Sequence, residues 1–310
     1  MTILLELQTS PQTQPIELGK VAWLRDYEQA LLESKKGNKP ILLFFQEVPG
    51  CRSCVNYGRD VLSHPLMVEA IENEFIPLAI HNNKPGKDAE ILKKYNESSW
   101  NNPVTHFVDF KGNDIISKLA NNYHPLSMYN KMIEALEASK KEIPEYVKLL
   151  GDDLKIEYGH AAKTVYETPC FWSGETSLAQ DKGVIATKAG LIGHKEVVEV
   201  YVDTMQTSIT DLDSYANEQG FYKVDGHDNF RIDKDPQFYL KKSKYSQLPL
   251  SPAQRTKINL ALPYKQNPNK FLSPKQLRWL QNKVSSKVIN DTMYAMNFEP
   301  AWDYYNNKNE

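Results

Sequence analysis

The 310-residue chain is 41% hydrophobic and 11% aromatic, enough to build two modest cores and more than one ordinary domain uses. Its 37 basic and 39 acidic residues are interspersed and leave a net charge of -2, which argues against nucleic acid or anionic lipid as partners. The amino terminus, Met1 to Gln8, has no positive region and meets Glu6 early, so neither a signal sequence nor a membrane span is expected, and the reading is cytoplasmic. In chain order, Leu24 to Lys36 has the spacing of an amphipathic helix, ended by Asn38-Lys39-Pro40, and Ile41 to Phe45 is an apolar run of buried-strand type. Val55 to Val61 and Leu66 to Ile71 return to helical spacing around Pro65, and Phe75 to Ile80 is a second apolar strand. A helix over Asp88 to Lys94 follows, then a third strand, Val104 to Phe110, that closes on Lys111-Gly112-Asn113 and pairs back through Ile115 to Leu119. Leu126 to Ala138 is the last helix of this half.

All three cysteines stand at strand-to-helix turns. Cys51 and Cys54 lie in Val48-Pro49-Gly50-Cys51-Arg52-Ser53-Cys54, directly after the first strand, and Cys170 lies in Pro169-Cys170-Phe171-Trp172-Ser173-Gly174-Glu175. Three thiols do not make a disulfide framework, and in a reducing compartment they point to reactivity. Free amides at a helix start favour an anion, so Cys51 is expected to be the more acidic, attacking sulfur. Cys54, one helical turn on, is placed to resolve a mixed disulfide. A Cys-x-x-Cys pair also supplies half of a zinc site, but His64, His81, His106 and His124 offer no second paired spacing, so no metal is expected.

The order of elements, with Pro103 opening the third strand after Asn102, resembles the thioredoxin fold over about 120 residues, a usual domain size. The resemblance implies that Pro103 is the active-site proline, cis and beside the cysteine pair. Val48-Pro49-Gly50-Cys51 further resembles thioredoxin-like proteins that carry selenocysteine in a Val-Pro-Gly-Sec motif, here with ordinary cysteine.

Lys140 to Pro144 closes the helical run and Gly151-Asp152-Asp153 reads as a turn, so two domains, 1–150 and 151–310, are expected. Beyond the join come strand-like Lys163 to Glu167, the Cys170 turn with a short helix, the run Gly183 to Gly190, Gly193-His194-Lys195-Glu196, the alternating strand Val197 to Val202 and a helix over Ile209 to Glu218. Tyr245 to Pro252, Leu260 to Pro263 and the helix start at Ser273 read as a carboxy-terminal extension, and Lys241 to Lys244 as a solvated face.

Reducing a sulfoxide requires a thiolate, an acid for the departing oxygen and an apolar wall. Cys170 fits the nucleophile, Phe171 and Trp172 the wall, Glu196 the acid, and Glu175 a second acid or the group that fixes the pocket. The segments around Cys170, Gly183 and Gly193 resemble, over about 80 residues, the type A peptide methionine sulfoxide reductases. That resemblance implies an α+β reductase domain after the α/β thioredoxin-like one, with Asp233 and Tyr239 in the substrate pocket. Pro169 replaces the family's glycine, a tyrosine-bearing loop is missing between Ile192 and Gly193, and Phe238 stands where a tyrosine is expected. The expected function is a thiol-dependent oxidoreductase that needs no cofactor, reduces methionine sulfoxide or a related sulfoxide at Cys170 and takes electrons through Cys51 and Cys54 from a cellular thiol reductant. A disulfide reductase whose second domain only selects the client, and a binding protein that senses redox state or a soft metal, are the alternatives.

Overall fold

Ile41–Gln46 is a strand because six successive residues are buried on both faces, the composition a parallel neighbour and two covering layers demand. The computed structural model describes residues 14–99, 103–225, 229–282 and 297–309, and the chain divides into two units, Met1–Lys141 and Glu142–Glu310. In the first, β1 (Ile41–Gln46) pairs in parallel with β2 (Ile76–His81) and antiparallel with β3 (Val104–Val108), which pairs with the short β4 (Leu119–Ala120). Among the described residues, the α-helices α1 (Tyr27–Gly37), α2 (Arg52–Asp60), α3 (Pro65–Glu74), α4 (Lys87–Lys94) and α5 (Pro125–Ala138) accompany this sheet. The Cys-x-x-Cys segment thus leaves the carboxyl end of the central strand.

The expected helix over Leu24 to Lys36 begins later. Asp26 caps it by accepting from the Gln29 amide at 3.0 Å, while Leu24 extends the sheet by donating to Pro77 and accepting from Ala79. The expected pairing of Ile115 to Leu119 is largely irregular and becomes a ladder only at Leu119. Asn102 lies outside the described residues, and with it the isomer of the Asn102–Pro103 bond. Pro103 itself is buried.

The second unit begins with α6 (Glu145–Glu157), so Gly151-Asp152-Asp153 is helix interior, not a turn. Local propensity is outweighed there by burial of Val147, Leu150 and Leu154. The buried carboxylate of Asp153 also accepts the Ala253 amide at 2.9 Å in the first turn of a later helix. Its sheet is antiparallel throughout, in the order β8 (Tyr222–Lys223), β5 (Ala162–Glu167), β7 (Lys195–Val202), β6 (Val184–Ile192), β9 (Arg231–Ile232). Among the described residues it carries helices α7 (Phe171–Leu178), α8 (Ile209–Glu218), α9 (Phe238–Lys241), α10 (Pro252–Ala261), α11 (Pro274–Gln281) and α12 (Phe298–Asn309). The carboxy-terminal segment belongs to the core: Thr256 on α10 accepts the Thr187 amide of β6, and Lys257 donates to Val184. Ser251 and Ser273 each form a capping box with a glutamine three residues on, and those glutamines, Gln254 and Gln276, hydrogen-bond to each other in the interior. Among the described residues no helix is long and apolar enough to cross a membrane.

Candidate functional sites

Cys51 occupies the N-cap of α2 and is exposed, whereas Cys54 is buried one turn in, with the two sulfurs 3.4 Å apart. The Cys54 amide and thiol hydrogen-bond to the Cys51 sulfur and lower its pKa. Burial pushes the Cys54 thiol up to about 12. Asymmetry of this kind gives one ready nucleophile and one reserve thiol that stays protonated until a mixed disulfide forms.

The turn that presents them is held from three directions. Glu17, buried in the amino-terminal turn, accepts the Gly50 amide at 2.8 Å, and Asn83, just past β2, accepts from Val48 and donates to Pro49. Gln46, at the end of β1, donates to the carbonyls of Glu17 and Cys54. Gly50 has to be glycine, because a Cβ there would meet the Cys54 Cβ at 2.7 Å and its sulfur at 3.1 Å. Pro103 opens β3 as expected from its position in the sequence.

In the second unit β5 runs through Thr168 and Pro169 to Cys170, the N-cap of α7, a free and partly exposed thiol. Glu196, half-buried at the start of β7, reaches this helix start: its Oε2 accepts the Phe171 amide at 3.0 Å, and its carbonyl accepts the Thr168 amide. Because β7 lies between β5 and β6, this carboxylate sits on a central strand rather than at a sheet edge. Gly174 lets the helix approach the strand exit, since a Cβ would meet Thr168 at 2.8 Å.

The aromatic residues divide. Phe171 enters the core of the unit, whereas Trp172 is partly exposed at its margin. Trp172 donates from Nε1 to Asp233 at 3.2 Å and stacks on Phe238 with ring centroids 4.2 Å apart. Asp233 therefore lies with Trp172. Tyr239 is edge-on to Phe238 at 5.5 Å, so the ring against Trp172 is Phe238.

Glu175 is fully buried and holds two segments together, accepting the Ala189 amide on β6 at 3.0 Å and the Gln237 amide at 2.8 Å. Gln237 adopts a left-handed conformation and returns a hydrogen bond to Thr187, which sets Phe238 at the start of α9. Burial outweighs the two amides and pushes the Glu175 carboxyl up to about 8 from 4.5. A folded-state pKa raised in this way contributes stability that is fully present below about 4.5 and lost as pH rises through about 8. Glu175→Gln should flatten the pH dependence of unfolding across that window. It should also lower stability at acidic pH by about 1–3 kcal/mol, because the amide NH2 faces a backbone donor. Urea denaturation at about pH 5 and about pH 9 reads both effects; an unchanged pH dependence in the variant would contradict the assignment.

Residues 22–109 match a family model described as thioredoxin-like. The first unit carries a thioredoxin-like domain. A solved structure described as "DsbH Oxidoreductase" is 24% identical, with 43% of this chain and 93% of that chain covered and a TM-score of 0.33. No curated protein matches the chain. The family match does not extend into the second unit, which is a mixed α/β fold.

Within the thioredoxin-like domain, the thiol asymmetry has a direct readout. At neutral pH iodoacetamide should modify Cys51 and spare Cys54, and Cys54→Ala should shift the Cys51 rate profile to higher pH by removing a donor to the thiolate. Peptide mapping by mass spectrometry checks both. Equal modification of the two thiols would contradict the asymmetry.

Glu17, Asn83, Gln237 and Phe238 are the site residues that sequence reasoning missed as positioning groups. Asn82-Asn83 at the end of an apolar strand was the one available signal, because strand carboxyl ends are where sites of α/β sheets collect. Glu17 and Gln237 act on partners 33 and 62 residues away, a separation no local pattern encodes.

Proposed function

We propose that the protein is a thiol oxidoreductase whose first unit exchanges disulfides through Cys51 and Cys54 and whose second unit reduces a sulfoxide at Cys170. Methionine sulfoxide, free or in a peptide, is the substrate class, and a cellular thiol reductant is the electron source. The observation that carries the disulfide chemistry is an exposed, acidified Cys51 3.4 Å from a buried, protonated Cys54. Support for the sulfoxide reading comes from the grouping of a partly exposed Cys170, the Glu196 carboxylate bonded to the next residue's amide, and the Trp172–Phe238 stack.

The Cys170 thiolate attacks the sulfoxide sulfur while Glu196 delivers a proton to its oxygen; the hydroxyl then passes to the Cys170 sulfur as the substrate's sulfur–oxygen bond and the new sulfur–sulfur bond both break, leaving a sulfide and a sulfenic acid on Cys170. The Cys51 thiol condenses with that sulfenic acid, releasing water and forming a mixed disulfide. Cys54 then attacks Cys51, freeing Cys170 and leaving a Cys51–Cys54 disulfide for the external reductant. Carrying both thiol sets on one chain raises the effective concentration of the donor.

A single-turnover experiment tests the scheme. The fully reduced chain, without added thiol, should convert one equivalent of methionine sulfoxide to methionine and lose two free thiols, with the new disulfide mapping to Cys51 and Cys54. Absence of methionine formation would remove the sulfoxide reading. Methionine formed with Cys51 and Cys54 still reduced would remove the relay.

A further inference from the structure

The geometry points to a site for a borderline-soft divalent cation of the zinc and cadmium class at Glu47, Cys51 and Cys54, mutually exclusive with the Cys51–Cys54 disulfide. One carboxylate oxygen of Glu47 and the two sulfurs all lie within 4.8 Å of one another. The sulfurs are 3.4 Å apart, near the separation of about 3.8 Å that two bonds of about 2.3 Å make at a tetrahedral zinc. Two thiolates and a carboxylate form a donor set that suits zinc and its softer congener and disfavours magnesium or calcium, which take oxygen ligands. Cys51 is exposed, so the fourth position is open to water. Sequence reasoning discarded a metal here by seeking a second Cys or His pair; the third ligand is a carboxylate four residues before Cys51, brought back by the Val48-Pro49-Gly50 turn.

Glu47 takes no bond-forming or proton-transfer step in the disulfide chemistry proposed above, so the cation site is a separate property of the reduced domain. Binding displaces the thiol protons and occupies both sulfurs, which blocks exchange. A client disulfide can be reduced only once the cation has left: its sulfur–sulfur bond then breaks, the Cys51–Cys54 bond forms, and neither sulfur remains a thiolate able to rebind the cation. Cation binding is therefore expected to depend on the reduced state and to inhibit disulfide reduction.

The test titrates the reduced full-length chain, carrying Cys170→Ser to remove the third thiol, with cadmium and with zinc, following thiolate-to-metal charge-transfer absorption and heat. One equivalent should bind to the reduced chain and none to the chain with the Cys51–Cys54 disulfide. Glu47→Gln should weaken binding by about tenfold or more, while its rate of disulfide formation with oxidised dithiothreitol shows that the dithiol is intact. Equal affinity in Glu47→Gln would overturn the proposal by reducing the site to an ordinary dithiol, as would failure of the reduced chain to bind. If Glu47→Gln no longer forms the disulfide, Glu47→Asp serves in its place, and an affinity unchanged in that shorter carboxylate would likewise overturn the assignment.

Discussion

Cys170→Ser is expected to lower sulfoxide reduction driven by dithiothreitol by a factor of about a thousand or more, since a serine hydroxyl is a poor nucleophile near neutral pH and cannot form a disulfide. Cys51→Ser should behave oppositely under the same assay, keeping most of the dithiothreitol-driven rate. With a protein disulfide reductase as the only electron source, Cys51→Ser should fall to background. Each thiol set lies in its own unit, Cys51 and Cys54 in Met1–Lys141 and Cys170 in Glu142–Glu310, so the two losses separate chemistry from electron supply. The consumption of methionine sulfoxide, measured by amino-acid analysis with each donor, reads the split. Full activity in Cys170→Ser would move sulfoxide chemistry away from the second unit, and loss of both activities in Cys51→Ser would place Cys51 in the sulfoxide step itself.

Glu196→Gln carries the second large effect, a fall in kcat/KM of about a hundredfold to ten-thousandfold, the range general acids contribute. The substitution is informative because its carbonyl oxygen can still accept the Phe171 amide that the carboxylate accepts at 3.0 Å. Helix α7 and Cys170 therefore keep their positions while the transferable proton is lost. A Glu196→Gln enzyme with the parent rate would reduce Glu196 to a helix cap. The same rate loss in Glu196→Ala and Glu196→Gln is the companion result expected if the proton, rather than the cap, matters.

Legibility was greatest where one short segment carries both structure and chemistry. The apolar run Ile41 to Phe45 followed by Cys51 and Cys54 specifies a strand, a turn and a helix-capping thiol, and each is present. Pro169-Cys170-Phe171-Trp172 is the same device repeated, with Cys170 at the cap of α7. The aromatic pair was less transparent: both rings look alike in sequence, yet Phe171 is core and Trp172 is the partly exposed one. Tyr239 was expected in the pocket; Phe238, placed by the left-handed Gln237, is the ring on Trp172, and Tyr239 lies edge-on to Phe238. The turn expected at Gly151 to Asp153 is helix for a related reason: Asp153 has a buried backbone donor waiting in α10.

The sequence by itself determined the placement of all three cysteines at strand-to-helix turns and most of the elements, since helix caps, apolar periodicity and cysteine placement act over a few residues. Tertiary structure alone decided which carboxylates do what. Glu17 anchors the Cys51 turn, Glu47 faces the dithiol, Glu175 is a buried clamp and Glu196 meets the Cys170 helix. All four are glutamates with the same intrinsic acidity; Glu17, Glu175 and Glu196 differ because the backbone donors they meet come from segments distant along the chain, and Glu47 because the turn before α2 brings it to the dithiol.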